Sequence, residues 1–181
     1  MPANEGDEKP TLQALIARLE QDRDRVGSDG GPVERGLPPA RELERNLSKA
    51  AARFVERLQA GDPEEAKRSF LLDAEVDRVF NATYAKVLST RSSLNVEAWN
   101  EFQSSRRPDQ PVEFIGIGAV HAQVADPRNR GLYREPVVFV DSLVVDYRLG
   151  SEPRSLELKH LVRLDDEWKF LQFRLTDALQ R

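Results

Sequence analysis

Few residues in this chain combine a reactive side chain with a spacing that would let it do chemistry. His160 lies in an alternating run, Leu156, Leu158, His160, Val162 and Leu164, whose period of two places all five on one face of a strand. An imidazole among apolar neighbours is a general base when a carboxylate orients it. The preceding apolar run carries two carboxylates, Asp141 and Asp146, and their odd spacing puts them on opposite faces, so only one is available to His160. With Tyr84 or Tyr147 as hydrogen-bond donor, such a set would move a proton on a small apolar substrate, as an isomerase, dehydratase or hydrolase does. The preferred reading makes His160 a core histidine bonded to a nearby hydroxyl or carbonyl, because buried polar groups are normally paired. No residue is assigned a catalytic role, and His160, Asp141, Tyr84, Tyr147 and Trp99 are pocket candidates.

Other groups carry less. The chain has no Cys, which excludes disulfides, thiolate metal sites and a Cys nucleophile. Its two His, His121 and His160, have neither an HxH nor an HExxH spacing, so no metal site is expected, and no cofactor. Gly116-Ile117-Gly118 superficially resembles a phosphate loop. It sits within a strand-like run with no helix start after it, so a β-bulge is expected there. Arg106 and Arg107 with Arg128 and Arg130 could clamp a small anion, although charge pairs in loops are usually solvated. Trp99 and Trp168 are expected to anchor the core.

The 181 residues hold 27 Lys+Arg against 31 Asp+Glu, a formal charge of −4. That balance gives no support to a nucleic-acid face, which would show a basic excess. No apolar run approaches the ~18 residues of a membrane span. Met1 to Pro10 is polar and acidic, unlike the basic-then-apolar start of a secretory signal, so a cytoplasmic location is expected unless a signal was trimmed from the sequence.

The elements that would position these groups follow from periodicity. Residues 1–39 read as a separate N-terminal part. It comprises a polar tail, a helix from Thr11 to about Val26 with Leu12, Leu15, Ile16 and Leu19 on one face, and the linker Gly27–Pro39, with four Gly and three Pro in thirteen residues. Residues 40–177 form the main body. Leu43, Leu47, Ala50, Ala51, Phe54 and Leu58 make an apolar stripe along a helix that stops at Gly61. Asp62-Pro63-Glu64-Glu65 reads as a capped helix start, Asp73 as the cap of the next segment, and Asn95 as the cap of a last helix holding Val96, Trp99 and Phe102. The period then changes to two over four runs, Val112–Val124, Val137–Leu149, Leu156–Leu164 and Trp168–Leu175. Their short polar connections favour antiparallel neighbours, and helices followed by strands is an α+β order.

The run Val137–Leu149 is apolar on both faces: Val137, Phe139, Leu143, Val145, Tyr147 and Leu149 on one, Val138, Val140 and Val144 on the other. A strand of that kind reads as central and covered twice, once by the helices and once by a second copy of the chain, the N-terminal helix or an unlike partner; the bland alternative is that its ends simply expose apolar residues, which is common.

The order of these elements, with the Gly61-Asp62 break and the closing hairpin Leu161-Val162-Arg163-Leu164-Asp165-Asp166-Glu167-Trp168-Lys169-Phe170, resembles the nuclear-transport-factor-2-like superfamily over about Ala40 to Asp177. The resemblance implies a cone-shaped α+β roll, in which a curved, mainly antiparallel sheet wraps a long helix and leaves a pocket, here with a detached N-terminal helix. It also implies a homodimer formed through the sheet. Members include enzymes, ligand binders and adaptors. The expected function is a non-enzymatic module holding a small apolar ligand or a protein partner, and the alternative is a pocket enzyme using His160 with an Asp.

Overall fold

The structure, a computed structural model, describes residues 37–88, 92–128 and 131–176. The expected helix from Thr11 to Val26 and most of its linker lie outside the described residues. Helix α1 (Ala40–Ala60) buries Leu43, Leu47, Ala51, Phe54, Val55 and Leu58 along one stripe. It ends where Gly61 takes φ 71°, a left-handed conformation that glycine adopts without a Cβ penalty. The Asp62 carboxylate then accepts from the Glu64 N–H at 2.9 Å and caps the short helix α2 (Pro63–Ala66), which runs into a 3-10 turn at Lys67–Ser69. Helices α3 (Asp73–Val79), α4 (Ala82–Leu88) and α5 (Ser92–Ser105) follow.

Two expected caps are corrected. Asp73 is already inside α3; the N-terminus is held by Glu75, whose carboxylate accepts from the Leu72 N–H at 2.9 Å. Asn95 lies inside α5, and its amide is spent across the fold on β5.

The strands are β1 (Val112–Ile117), β2 (Ala122–Ala125), β3 (Val137–Leu149), β4 (Glu152–Leu164) and β5 (Glu167–Thr176), all antiparallel to their neighbours in the order β1-β3-β4-β5. The single run expected over Val112–Val124 is two strands, both on the same side of β3: β1 pairs with Val145–Leu149 and β2 with Val137–Val140. Ile115 is the extra residue of a bulge between Phe114 and Gly116. At Gly118 the chain donates to the Val144 carbonyl at 2.9 Å, and a Cβ there would meet the Val144 Cβ at 3.3 Å, a tight approach at the crossing between β1 and β2. The hairpin after β4 is a two-residue turn in which Asp165 (φ 49°) and Asp166 (φ 65°) are both left-handed.

A discontinuity in β4 decides which side chains face the core. His160 has φ 53°, and the ladder pairs that it would make with Asp141 on β3 and Leu171 on β5 are both missing, while the pairs before and after keep one register. Inward-facing parity therefore switches along one line across three strands. On β4 the core takes Leu156 and Leu158, then Leu161; on β3 it takes Val145 and Leu143, then Val140; on β5 it takes Phe173, then Phe170 and Trp168. The expectation that Leu156, Leu158, His160, Val162 and Leu164 share a face is overturned: Val162 and Leu164 are buried, but outside that core. A left-handed residue rotates the strand, which periodicity alone does not reveal.

The switch gives each half of the sheet a different cover. Against α1 the core packs edge-on phenyl rings, with Phe54 centred 4.8 Å from Phe170 and 5.0 Å from Phe173. On the opposite side, Phe139 stacks toward Tyr133 (5.7 Å) and Tyr133 toward Phe80 (5.1 Å), while Lys169 pairs with Glu75 of α3 at 2.5 Å. The second apolar side of β3 at Val137 and Phe139 is thus covered by the chain itself. The partner that its composition called for is not needed there.

Candidate functional site

Among the described residues an apolar cleft of about 550 Å³ lies where α2, α3 and α5 meet the outer edge of β5. Each wall has a local cause. Leu71 is pinned because its N–H donates to the Phe170 carbonyl at 2.9 Å, so the segment after the 3-10 turn runs along β5 and presents Phe70, Leu71 and Leu72. Helix α3 contributes Val76, and α5 contributes Val96 and Trp99 at helical spacing. Leu72 is 51% exposed and Val96 57%, the largest exposures among the big apolar side chains described.

Asn95 joins α5 to β5. Its Nδ2 donates to the Leu171 carbonyl at 2.9 Å and its Oδ1 accepts from the Phe173 N–H at 3.0 Å, so one side chain satisfies two backbone groups of an edge strand. Only two titratable residues line the cleft, Lys67 and Asp73. Both are exposed, and Lys67 pairs with Glu64 at 2.7 Å. The cleft can bind apolar surface; it offers no enclosed acid or base.

Of the sequence-derived candidates, Trp99 lines this cleft. Tyr147 is buried against Phe102, with ring centres 6.0 Å apart, and its phenol is pushed up to about 12 by burial, which Arg154 only partly offsets. His160 and Asp141 are half-buried at the break in the ladder, and neither they nor Tyr147 line the apolar cleft. Asp146 accepts from the Ser155 hydroxyl at 2.5 Å on the outer face. The Tyr84 side chain lies outside the described residues. The structure brings none of these candidates together into one constellation with Trp99.

Two of the arginines weighed as an anion clamp, Arg106 and Arg128, are used locally, while the Arg107 side chain is exposed. Arg106 donates to the Gln59 carbonyl at 2.9 Å and to Gln103 at 3.0 Å, Arg128 pairs with Asp126 at 2.7 Å, and Arg130 lies outside the described residues. His121 is exposed just before β2, and among the described residues no three His, Asp or Glu are placed to hold a metal ion.

On the outer face of the sheet, Glu157 is buried between Lys159 (2.8 Å) and Arg174 (2.6 Å) and also accepts from the Ser142 hydroxyl. Burial pushes its carboxyl up, but the hydrogen bonds from Lys159 and Ser142 and the charges of Lys159 and Arg174 outweigh that and hold it below the ordinary value.

Sequence reasoning missed Phe70, Leu71, Leu72, Val76, Asn95 and Leu171 as a group. They come from four elements, and only Val96-Trp99 carried a legible spacing. Compared with family models, curated proteins and solved structures, the chain matches none.

Proposed function

We propose that the chain is a non-enzymatic binding module whose apolar cleft accepts a small apolar ligand. The observation that carries this is the lining: a space of about 550 Å³, within the range of small-molecule sites, walled by Phe70, Leu71, Leu72, Val76, Val96 and Trp99, with its two titratable residues exposed. Leaving Leu72 and Val96 in water costs free energy that a bound apolar group would recover. His160 and Asp141 lie outside this lining, and its own titratable residues are exposed, which supports binding over catalysis in this cleft. The reading extends to a nuclear-transport-factor-2-like cone, which the long α1 and the parity switch at His160 suit, since a sheet that changes its inward face part-way can wrap a helix. It extends also to a cytoplasmic homodimer formed through the sheet. Val144 and Ile115, both exposed on the paired strands β3 and β1, are its natural contact.

The test is titration of the full chain with a neutral naphthylamine dye, whose emission rises in apolar surroundings. Binding in the micromolar range is expected, weakened about tenfold or more by Val96→Glu or Leu72→Glu. Both positions are exposed, so these changes leave the core alone. Dye affinity unaltered by either substitution would remove the cleft as the site. Light scattering after size exclusion checks the dimer, and a monomer at micromolar concentration refutes it.

A further inference from the structure

A second cleft, of about 650 Å³, lies on the other side of the 3-10 turn, and its chemistry is the reverse of the first. Six Lys and Arg line it against two carboxylates, Asp166 and Glu167, in a chain that is acidic overall. Three of the cations have a carboxylate within reach: Arg163 with Asp166 at 2.9 Å, Lys169 with Glu75 at 2.5 Å, and Arg68 with Glu65 at 3.3 Å. The remaining three, Lys49, Arg53 and Arg57, stand one turn apart on α1 and have no carboxylate partner among the described residues; Arg57 donates to the Ser69 hydroxyl at 2.5 Å. Like charges at that spacing repel and cost helix stability, so the column works against the fold that carries it. Trp168 lines the same wall. Trp168 is 8% exposed, and its indole Nε1–H is the one buried side-chain polar atom among the described residues that has no hydrogen-bond partner. A buried donor left without an acceptor is costly, and such groups are rare.

The geometry points to a site for a small ligand bearing two or more phosphates. Each phosphate carries about −1.5 to −2 charge near neutral pH, so two match the three unpaired cations. Guanidinium forks suit phosphate oxygens, and the volume admits a small polyanion. The phosphates can belong to a soluble molecule or to a lipid headgroup.

The experiment uses the full chain and three probes: pyrophosphate, inositol trisphosphate, and phosphatidylcholine vesicles containing a bisphosphorylated phosphoinositide. Calorimetry on the soluble probes should give a Kd of about 10 μM at low salt, weakening as salt is added, and Lys49→Gln with Arg53→Gln should weaken it about tenfold or more. Both positions are exposed, and the neutral-dye affinity of the first cleft should not change. The Trp168 indole N–H resonance, identified by its loss in Trp168→Phe, should shift on binding. Binding to the soluble probes assigns the phosphates to a free molecule, and binding to the vesicles alone assigns them to a headgroup. The inference is overturned if all three probes fail to bind at about millimolar concentration. It is equally overturned if the double variant binds unchanged, or if a glutamate-rich peptide binds more tightly than any of them.

Discussion

Asn95 and Phe173 meet through a 3.0 Å hydrogen bond from the backbone N–H of β5 to the side-chain carbonyl of a helix residue, and the same amide donates to Leu171 at 2.9 Å. An edge strand ordinarily exposes such groups, and here a single buried carboxamide from α5 takes the place of a neighbouring strand. Asn95→Leu keeps the volume but strands both backbone groups, so the expected loss is about 3 kcal/mol, read as a lower urea midpoint. Asn95→Asp retains the acceptor and loses the donor, and should fall between the two. A leucine variant as stable as the parent would show that water can reach this edge.

The end of α1 is held by a glycine and an aspartate in succession. Gly61 needs φ 71°, and Asp62 caps the next helix. Gly61→Ala and Asp62→Ala should each cost about 1 kcal/mol, by strain in the first case and by an uncapped N–H in the second. Because Gly61 and Asp62 are adjacent, the double variant reports whether the two losses add. Thermal unfolding of the three variants checks both figures.

His160 holds a left-handed backbone at the line where the sheet changes its inward face. Asn tolerates that conformation and Val does not. His160→Val should therefore be about 1–2 kcal/mol less stable than His160→Asn, the reverse of what strand propensity alone would give. Equal stability of the two would mean that the strand relaxes to ordinary extended geometry when the side chain is changed.

The Glu157 carboxyl lies below its ordinary value of 4.5 in the folded chain. The unfolded chain thus binds the proton more readily, so the stabilisation is present above about pH 4.5 and is lost as the pH falls through the lower folded value. Urea midpoints measured from about pH 6 down to pH 3 should decline more steeply in the parent than in Glu157→Gln. Parallel curves would show that Lys159, Arg174 and Ser142 confer no net preference for the charged form.

Periodicity reveals much of this fold and little of its sites, for physical reasons. The stripe from Leu43 to Leu58, the stop at Gly61 and the strand from Val137 to Leu149 are local patterns, and they appear as expected. The Asp62 cap is equally local. His160 misleads because a positive φ at a non-glycine residue has no signature in composition, and every residue beyond it changes face. Asn95 misleads because one amide serves equally as a cap or as a tertiary link, and only the position of β5 decides. The clefts are harder still, since each is assembled from elements far apart in sequence. One sign of the basic cleft was nevertheless readable: Lys49, Arg53 and Arg57 fall one turn apart along the flank of an otherwise amphipathic helix.

That column yields a stability prediction separate from any ligand. Arg53 lies between Lys49 and Arg57 on α1, and among the described residues none of the three has a carboxylate partner. Neutralising the middle charge by Arg53→Gln removes both repulsions and leaves the buried stripe of the helix untouched. It should raise stability by about 0.5 kcal/mol at low salt. At about 1 M salt, where the screening length falls to about 3 Å, the gain should vanish. Paired urea titrations at the two salt concentrations make the comparison. A gain that persists at high salt would trace to helix propensity, and a loss at low salt would mean that Arg53 already has a compensating partner in the folded chain.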